Sequence, residues 1–88
     1  MKEKLGGTLY IECDGSSCKT ALKTAKGFDG FVTGFRVDKK ARGHGADVII
    51  HVKVVNADEL VNLGNRIKNS STGIKGIQPT IEVRSLSS

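Results

Sequence analysis

Apolar and polar residues alternate strictly in two stretches of the chain. In TLYIECD (Thr8–Asp14), Leu9, Ile11 and Cys13 fall on one side, and Thr8, Tyr10 and Glu12 on the other. This two-residue period predicts a half-buried strand. ADVIIHVKVV (46–55) carries the strongest strand signal, with Val48, Ile50, Val52 and Val54 on one face and Ile49, His51, Lys53 and Val55 on the other. Between the two, GSS breaks the alternation, and Cys18, Ala21, Leu22 and Ala25 recur at helical spacing with Lys19, Lys23 and Lys26 opposite them. Ser16 or Ser17 is the expected N-cap of that helix and Gly27 its expected C-cap.

The same logic predicts three further elements. Phe31, Thr33, Phe35 and Val37 line one face of a second strand. DKKARGHG (38–45) is a polar hairpin loop leading to the third. Asn56 opens a second helix, with Glu59 three residues on in a box-like start. Leu60, Leu63, Gly64 and Ile67 form its apolar stripe. NSSTG ends it, and a last strand presents Ile77, Ile81 and Val83 on one face. Pro79 cannot donate to a ladder, so this strand belongs at a sheet edge.

The order β-α-β-β-α-β contains a repeat. Leu9, Ile11 and Cys13 map onto Ile50, Val52 and Val54 at an offset of 41, and the helix stripes map at 42. KGFDGFVTGFRV (26–37) maps onto TGIKGIQPTIEV (72–83) at an offset of 46. One β-α-β unit is written twice, which predicts a ferredoxin-like α+β sandwich. Its four-stranded antiparallel sheet should run in the order 4-1-3-2, with both helices on one face. Residues 1–6 read as a flexible tail and 7–86 as a single domain.

Composition narrows the class. The chain has 88 residues, 38% hydrophobic and 26% charged, a formal charge of +5 and a pI near 9.5. These are values for an ordinary globular domain. The basic balance permits an anionic partner without requiring one. No apolar run approaches membrane-spanning length, and MKEKLGG lacks the apolar core of a signal peptide. The expectation is a cytoplasmic protein with no membrane partner, in which two cysteines are reduced thiols. Ser16 and Ser17 have no histidine near them in sequence, and the aspartates are scattered through caps and turns, so no catalytic constellation is read and no enzyme is expected.

GADVIIHVKVVNADELVNLGNRI (45–67) and GIKGIQPTIEV (73–83) resemble the central strand, the Asp-Glu-Leu-started helix and the closing glycine-apolar strand of the ACT and RAM families of small regulatory domains. RAM is the effector domain of Lrp/AsnC-type regulators. The resemblance implies a non-catalytic, self-associating module that binds an amino-acid-like effector and needs no cofactor. The chain has no room for a helix-turn-helix of its own beside this fold, and the resemblance leaves open whether it works alone or with a separate DNA-binding or catalytic partner. In ACT domains the loop after the first strand reads Asp-x-Pro-Gly and holds the ligand against its backbone. Here the corresponding candidates are Asp14, Gly15, Ser16 and Ser17. Self-association is expected through the sheet face that no helix covers, at Tyr10, Ile49 and Val55, with Val32 and Arg36 also on that face.

Two other resemblances carry alternatives. LYIECD (9–14) resembles the RNP2 strand of RNA-recognition modules, and RGHGADVI (42–49) partly resembles RNP1. Single-stranded RNA or DNA would then lie on the open sheet face, with Tyr10, His44 and His51 offering rings and Arg42 a cation. Cys13-Asp-Gly-Ser-Ser-Cys18 sits where heavy-metal-associated domains of this fold place Cys-x-x-Cys. Four intervening residues instead of two, and the apolar side of each cysteine, make both small core residues, and no metal is expected.

Overall fold

A computed structural model of the chain describes residues 4–37 and 46–81. Its elements are β1 (Leu5–Cys13), α1 (Gly15–Lys26), β2 (Phe31–Arg36), β3 (Val48–Val54), α2 (Ala57–Asn69) and β4 (Ile74–Ile81). They form one four-stranded antiparallel sheet in the order β2-β3-β1-β4, the ferredoxin-like order expected from the repeat. The hairpin 38–45 and residue Val83 lie outside the described residues.

β1 and β3 are the two most apolar strands, and they pair at the centre from Leu5↔Val54 to Ile11↔Val48. This register starts β1 three residues before the predicted strand. Leu9, Ile11, Val48, Ile50 and Val54 are fully buried beneath the helices. Each such side chain contributes roughly 1.5–3 kcal/mol through removal from water. Cys18, Ala21 and Ala25 of α1 and Leu60, Leu63 and Ile67 of α2 complete the same cluster. The small stripe of α1 lets that helix lie close to the sheet, and Leu22, Phe28 and Phe31 fill its flank.

Both helices are capped, but one differs from expectation. Asn56 Oδ1 accepts from Glu59 N at 2.9 Å, and Glu59 Oε1 reaches back to accept from Val55 N at 3.0 Å. In α1 the N-cap is Asp14, not Ser16 or Ser17, and its side chain makes no capping bond. Gly15 has a φ of +26°, a value that disfavours side chains, and it starts the helix one residue after the strand ends. Ser17 is thereby carried into the interior, 8% exposed.

β2 corrects the predicted face assignment. Phe31 pairs with Val52, but Thr33 pairs with His51, so Val32 is an extra residue in a β-bulge. Beyond it the faces are exchanged. Phe31 and Gly34 point toward the helices, while Thr33 and Phe35 point to the open face. Arg36, opposite Val48, falls on the helix side rather than the open one. The internal repeat explains why the sequence conceals this. Phe31↔Val52 and Ile77↔Ile11 are equivalent pairs, as the offsets require. After the bulge, the offset between β2 and β4 drops by one.

The cysteines are also corrected. Cys13 and Cys18 form a disulfide, with Cα atoms 5.3 Å apart. The apolar sides that suggested two separate core thiols meet at one point, because the strand ends and the helix begins with only Asp14 between them. Closing so short a loop stabilises the fold by about 2 kcal/mol in the chain-entropy account.

Glycines at two positions give a direct test of these packings. A Cβ on Gly30 would overlap the Lys53 backbone carbonyl oxygen, whereas one on Gly76 would meet nothing within 4 Å. Gly30 O also accepts from Lys53 N at 2.7 Å, so β3 cannot retreat without losing that bond. Gly30→Ala should cost about 2–3 kcal/mol by forcing the backbone apart. Gly76→Ala should stay within about 0.5 kcal/mol of the parent. Urea unfolding midpoints of the two variants, compared with the parent, check both values.

Candidate functional site

Two regions hold the sequence-derived candidates: the open sheet face and the turn between β1 and α1. On the open face the register aligns residues in rows across the strands. Tyr10, Ile49 and Phe35 stand directly opposite one another on β1, β3 and β2. Thr8, His51 and Thr33 form the next row. Opposed residues in an antiparallel pair bring their Cβ atoms within about 5.5 Å. Ile49 is therefore only 8% exposed although no helix covers it, and it is not part of the main core cluster. Phe35 remains 46% exposed, with its ring centroid 6.1 Å from that of His51. Thr8 Oγ1 lies 3.1 Å from His51 Nδ1, a hydrogen bond that fixes the imidazole on the face.

Of the residues predicted for this face, Tyr10, Ile49 and His51 are brought together. Val55 is not. It follows the end of β3, six residues from Ile49, which is about 20 Å along an extended chain. It is 42% exposed, and its N–H is engaged by Glu59. Arg42 and His44 lie outside the described residues. Phe35 is the member that the alternation pattern missed. Gly34 was the available signal, since a glycine inside a strand often marks a bulge or a close approach. Here a Cβ at position 34 would stand 2.9 Å from Leu22 Cδ2, so Gly34 is the inward residue under α1.

Charge divides between the two layers. Lys19, Lys23 and Lys26 are exposed on α1, and Arg66 and Lys68 in the last turn of α2. The cations near the two helix C-termini suit the helix dipoles. Among the described residues of β3, Lys53 is the cation whose place in the alternation puts it on the open face.

The β1–α1 turn is tied from several sides. Cys13 N donates to Asp47 Oδ2 at 3.1 Å, and Asp14 N donates to Gly73 O at 3.0 Å. Ser17 Oγ and Ser71 Oγ are 2.6 Å apart and share a hydrogen bond. Asp14 Oδ1 faces Lys75 Nζ at 3.3 Å, with both side chains mostly in water. Asp14, Gly15 and Ser16 are exposed, while Ser17 is turned inward and engaged. The four predicted ligand residues thus separate into an exposed trio and one structural serine. The first turn of α1 contains no acidic side chain, and Asp14 at the cap places a carboxylate at the positive end of the helix dipole.

A shallow groove of about 190 Å³ lies between α2 and β4, lined by Val61, Gly64, Asn65, Lys68, Ile77 and Pro79. None of these belongs to the turn. Among the described residues, no group of three or more His, Cys, Asp or Glu side chains is arranged to hold a metal ion. Among them, too, no helix is long and apolar enough to cross a membrane.

Known proteins resemble this chain in fold rather than in sequence. No protein-family model and no curated protein matches it. The solved structure of TTHA0845 from Thermus thermophilus superposes with a TM-score of 0.73 at 12% identity, covering 96% of this chain and 99% of that one. An AsnC family transcriptional regulator from Agrobacterium tumefaciens gives 0.70 at 12% identity, covering 99% of this chain and 55% of the regulator. The transcriptional regulator NMB0573 of Neisseria meningitidis, solved as an L-Met complex, gives 0.68 at 7% identity over 96% of this chain and 53% of its own. The chain therefore spans about half the length of those regulators and nearly all of TTHA0845.

The anchoring of the turn is testable through Gly73. A Cβ there would overlap Ser17 Oγ and stand 2.9 Å from Ser17 Cβ. Gly73→Ala should destabilise the chain by about 1–3 kcal/mol. Adding Ser17→Gly removes the colliding atoms, so the double variant should be more stable than the sum of the two single changes predicts. A double-mutant cycle from chemical denaturation measures that coupling.

Proposed function

We propose that the chain is a non-catalytic regulatory module. It self-associates through the open sheet face and binds a small amino-acid-like effector beside the β1–α1 turn. The observation that carries this reading is the Tyr10–Ile49–Phe35 row. It is an apolar strip on a face without helices, in a fold shared over nearly its whole length with half of several transcriptional regulators. Covering Phe35 and Tyr10 with a second copy removes from water the side chains that the monomer leaves partly wet, which favours association. The L-Met complex of NMB0573 supports an amino acid as the effector class. The exposed first residues of α1, Gly15 and Ser16, suit the carboxylate of such a ligand at the helix N-terminus, while the Asp14 N–H is already engaged by Gly73. The module would act in the cytosol.

A second reading has one observation in its favour. The bulge in β2 adds Phe35 to Tyr10 and His51, so three rings from the strands share the open face, one more than the alternation pattern predicted. Stacking platforms for single-stranded nucleic acid are built this way. Among the described residues, the α1 lysines lie on the opposite layer and β3 offers only Lys53 to the open face, which favours the first reading, because phosphates alongside stacked bases need several cations at that face.

Phe35 decides between them better than Ile49, which is already nearly closed from water within the monomer. Phe35→Lys should leave the fold intact and shift the mass measured by sedimentation equilibrium from dimer or higher toward monomer. Titration calorimetry of the parent with L-amino acids should show one saturable site per chain. A parent that is monomeric at all concentrations, and that binds single-stranded RNA with a loss of about 1–3 kcal/mol on Tyr10→Ala, would replace the first reading with the second.

A further inference from the structure

The Cys13–Cys18 disulfide encloses the same four residues, Asp14 to Ser17, that are proposed to hold the effector. We propose that this pair is a reversible two-electron redox site, reduced by a dithiol, which controls the conformation of the β1–α1 turn. The proposal deepens the functional reading and rests on its cytosolic setting. A disulfide in a reducing compartment is ordinarily a transient or sensing one rather than a permanent staple.

Three features of the structure support reversibility. First, the disulfide is one of several ties at the turn. The turn is also held by Cys13 N–H to Asp47, Asp14 N–H to Gly73 O and Ser17 to Ser71. Second, the sulfurs stay close after reduction. Cys13 ends a central strand and Cys18 lies in the first turns of α1, and the core fixes both elements through Leu9, Ile11, Ala21 and Ala25. Third, the pairing of β1 with β4 is irregular where it reaches Cys13. Glu12 pairs with Gly76 and Cys13 with Ile74, which leaves Lys75 as the extra residue. Bulged ladder ends open more easily than regular ones. Cys13 is 7% exposed and Cys18 only 1%, so Cys13 is the more open of the two residues and is assigned as the one an incoming thiolate attacks.

The chemistry balances as an ordinary exchange. One thiolate of the dithiol attacks Cys13 Sγ and forms a mixed disulfide, while the S–S bond breaks and Cys18 Sγ leaves, taking up a proton. The second thiol of the reductant then attacks its own sulfur in the mixed disulfide. Cys13 leaves as a thiol, and the reductant departs as a cyclic disulfide. Two electrons and two protons pass to the protein. What changes is the turn. Gly15 holds its positive φ inside a covalently closed loop, and reduction removes that closure while the helix and the strand remain.

The test treats the native full chain with dithiothreitol, without denaturant. Alkylation followed by mass spectrometry should find both cysteines modified together, and diamide should reverse the change. Far-UV circular dichroism should be unchanged, and Tm should fall by roughly 10 °C. In the ¹H–¹⁵N spectrum, shifts should be confined to residues 13–18 and their partners Asp47, Ser71 and Gly73. The variant Cys13→Ser/Cys18→Ser should reproduce the reduced spectrum. The proposal is overturned if reduction occurs only in denaturant, if reduction or the double variant unfolds the chain, or if the turn's amides do not respond. None of these readouts involves an effector. A local redox response without amino-acid binding keeps the redox site and removes the effector reading. Amino-acid binding that is equal in both redox forms, with silent turn amides, does the reverse.

Discussion

The structure hangs on the pairing of β1 with β3. Both strands are buried on the helix side, and their register sets Leu9 against Ile50 and Ile11 against Val48, all four without exposure to water. A one-residue slip would turn Thr8, Tyr10, His51 and Lys53 toward the helices, so the alternation of the two strands specifies a single register. With that register fixed, α1 and α2 have one surface to cover, and β2 and β4 have one free edge each to join. Pro79, on the outer strand β4, lies opposite Leu9. A proline can occupy that place only with its nitrogen turned away from β1, and this blunts the sheet edge.

Local irregularities shape the open face and the β1–α1 turn on this regular centre. The extra residue Val32 exchanges the faces of β2. It puts Gly34 under Leu22, where α1 approaches closely, and turns Phe35 out beside Ile49 and His51. The irregularity between Glu12 and Cys13 falls where β1 hands the chain to α1, next to the disulfide and the anchoring bond from Cys13 N to Asp47. Each bulge sits at the end of a strand pair rather than in the β1–β3 centre, where losing a ladder bond costs most. The two halves of the repeat are thus alike in their cores and differ at their outer strands. That divergence separates a wet, polar β4 side of the open face from an aromatic β2 side.

The helices show the same division between rule and exception. α2 carries its start signal in the sequence, Asn56 with Glu59 three residues later. Both side chains bond in the manner of a capping box, with Glu59 reaching one residue further back, to Val55. α1 has two serines that fit a cap by type. Yet the cap falls two residues before Ser16, at Asp14, and the chain turns at Gly15, which frees Ser17 to bond Ser71 across the fold. A capping preference is local, and a buried serine with a partner from the other half of the chain outweighs it.

The amino-acid sequence by itself determined the element order, the central strands, the helix stripes and the ferredoxin-like topology. These follow from periodicity and from an internal repeat, and both are written in consecutive residues. It also named Tyr10, Ile49 and His51 as neighbours on an uncovered face, because side-chain alternation within regular strands is a local property. Only the tertiary structure decided the rest. The bulge at Val32 depends on how β2 meets β3, and so short a pattern cannot distinguish an inserted residue from a continued alternation. The disulfide depends on the angle between the end of β1 and the start of α1. Two apolar-side cysteines read alike whether they lie apart in the core or converge on one point. Such choices are made by contacts between elements, which no period along the chain encodes.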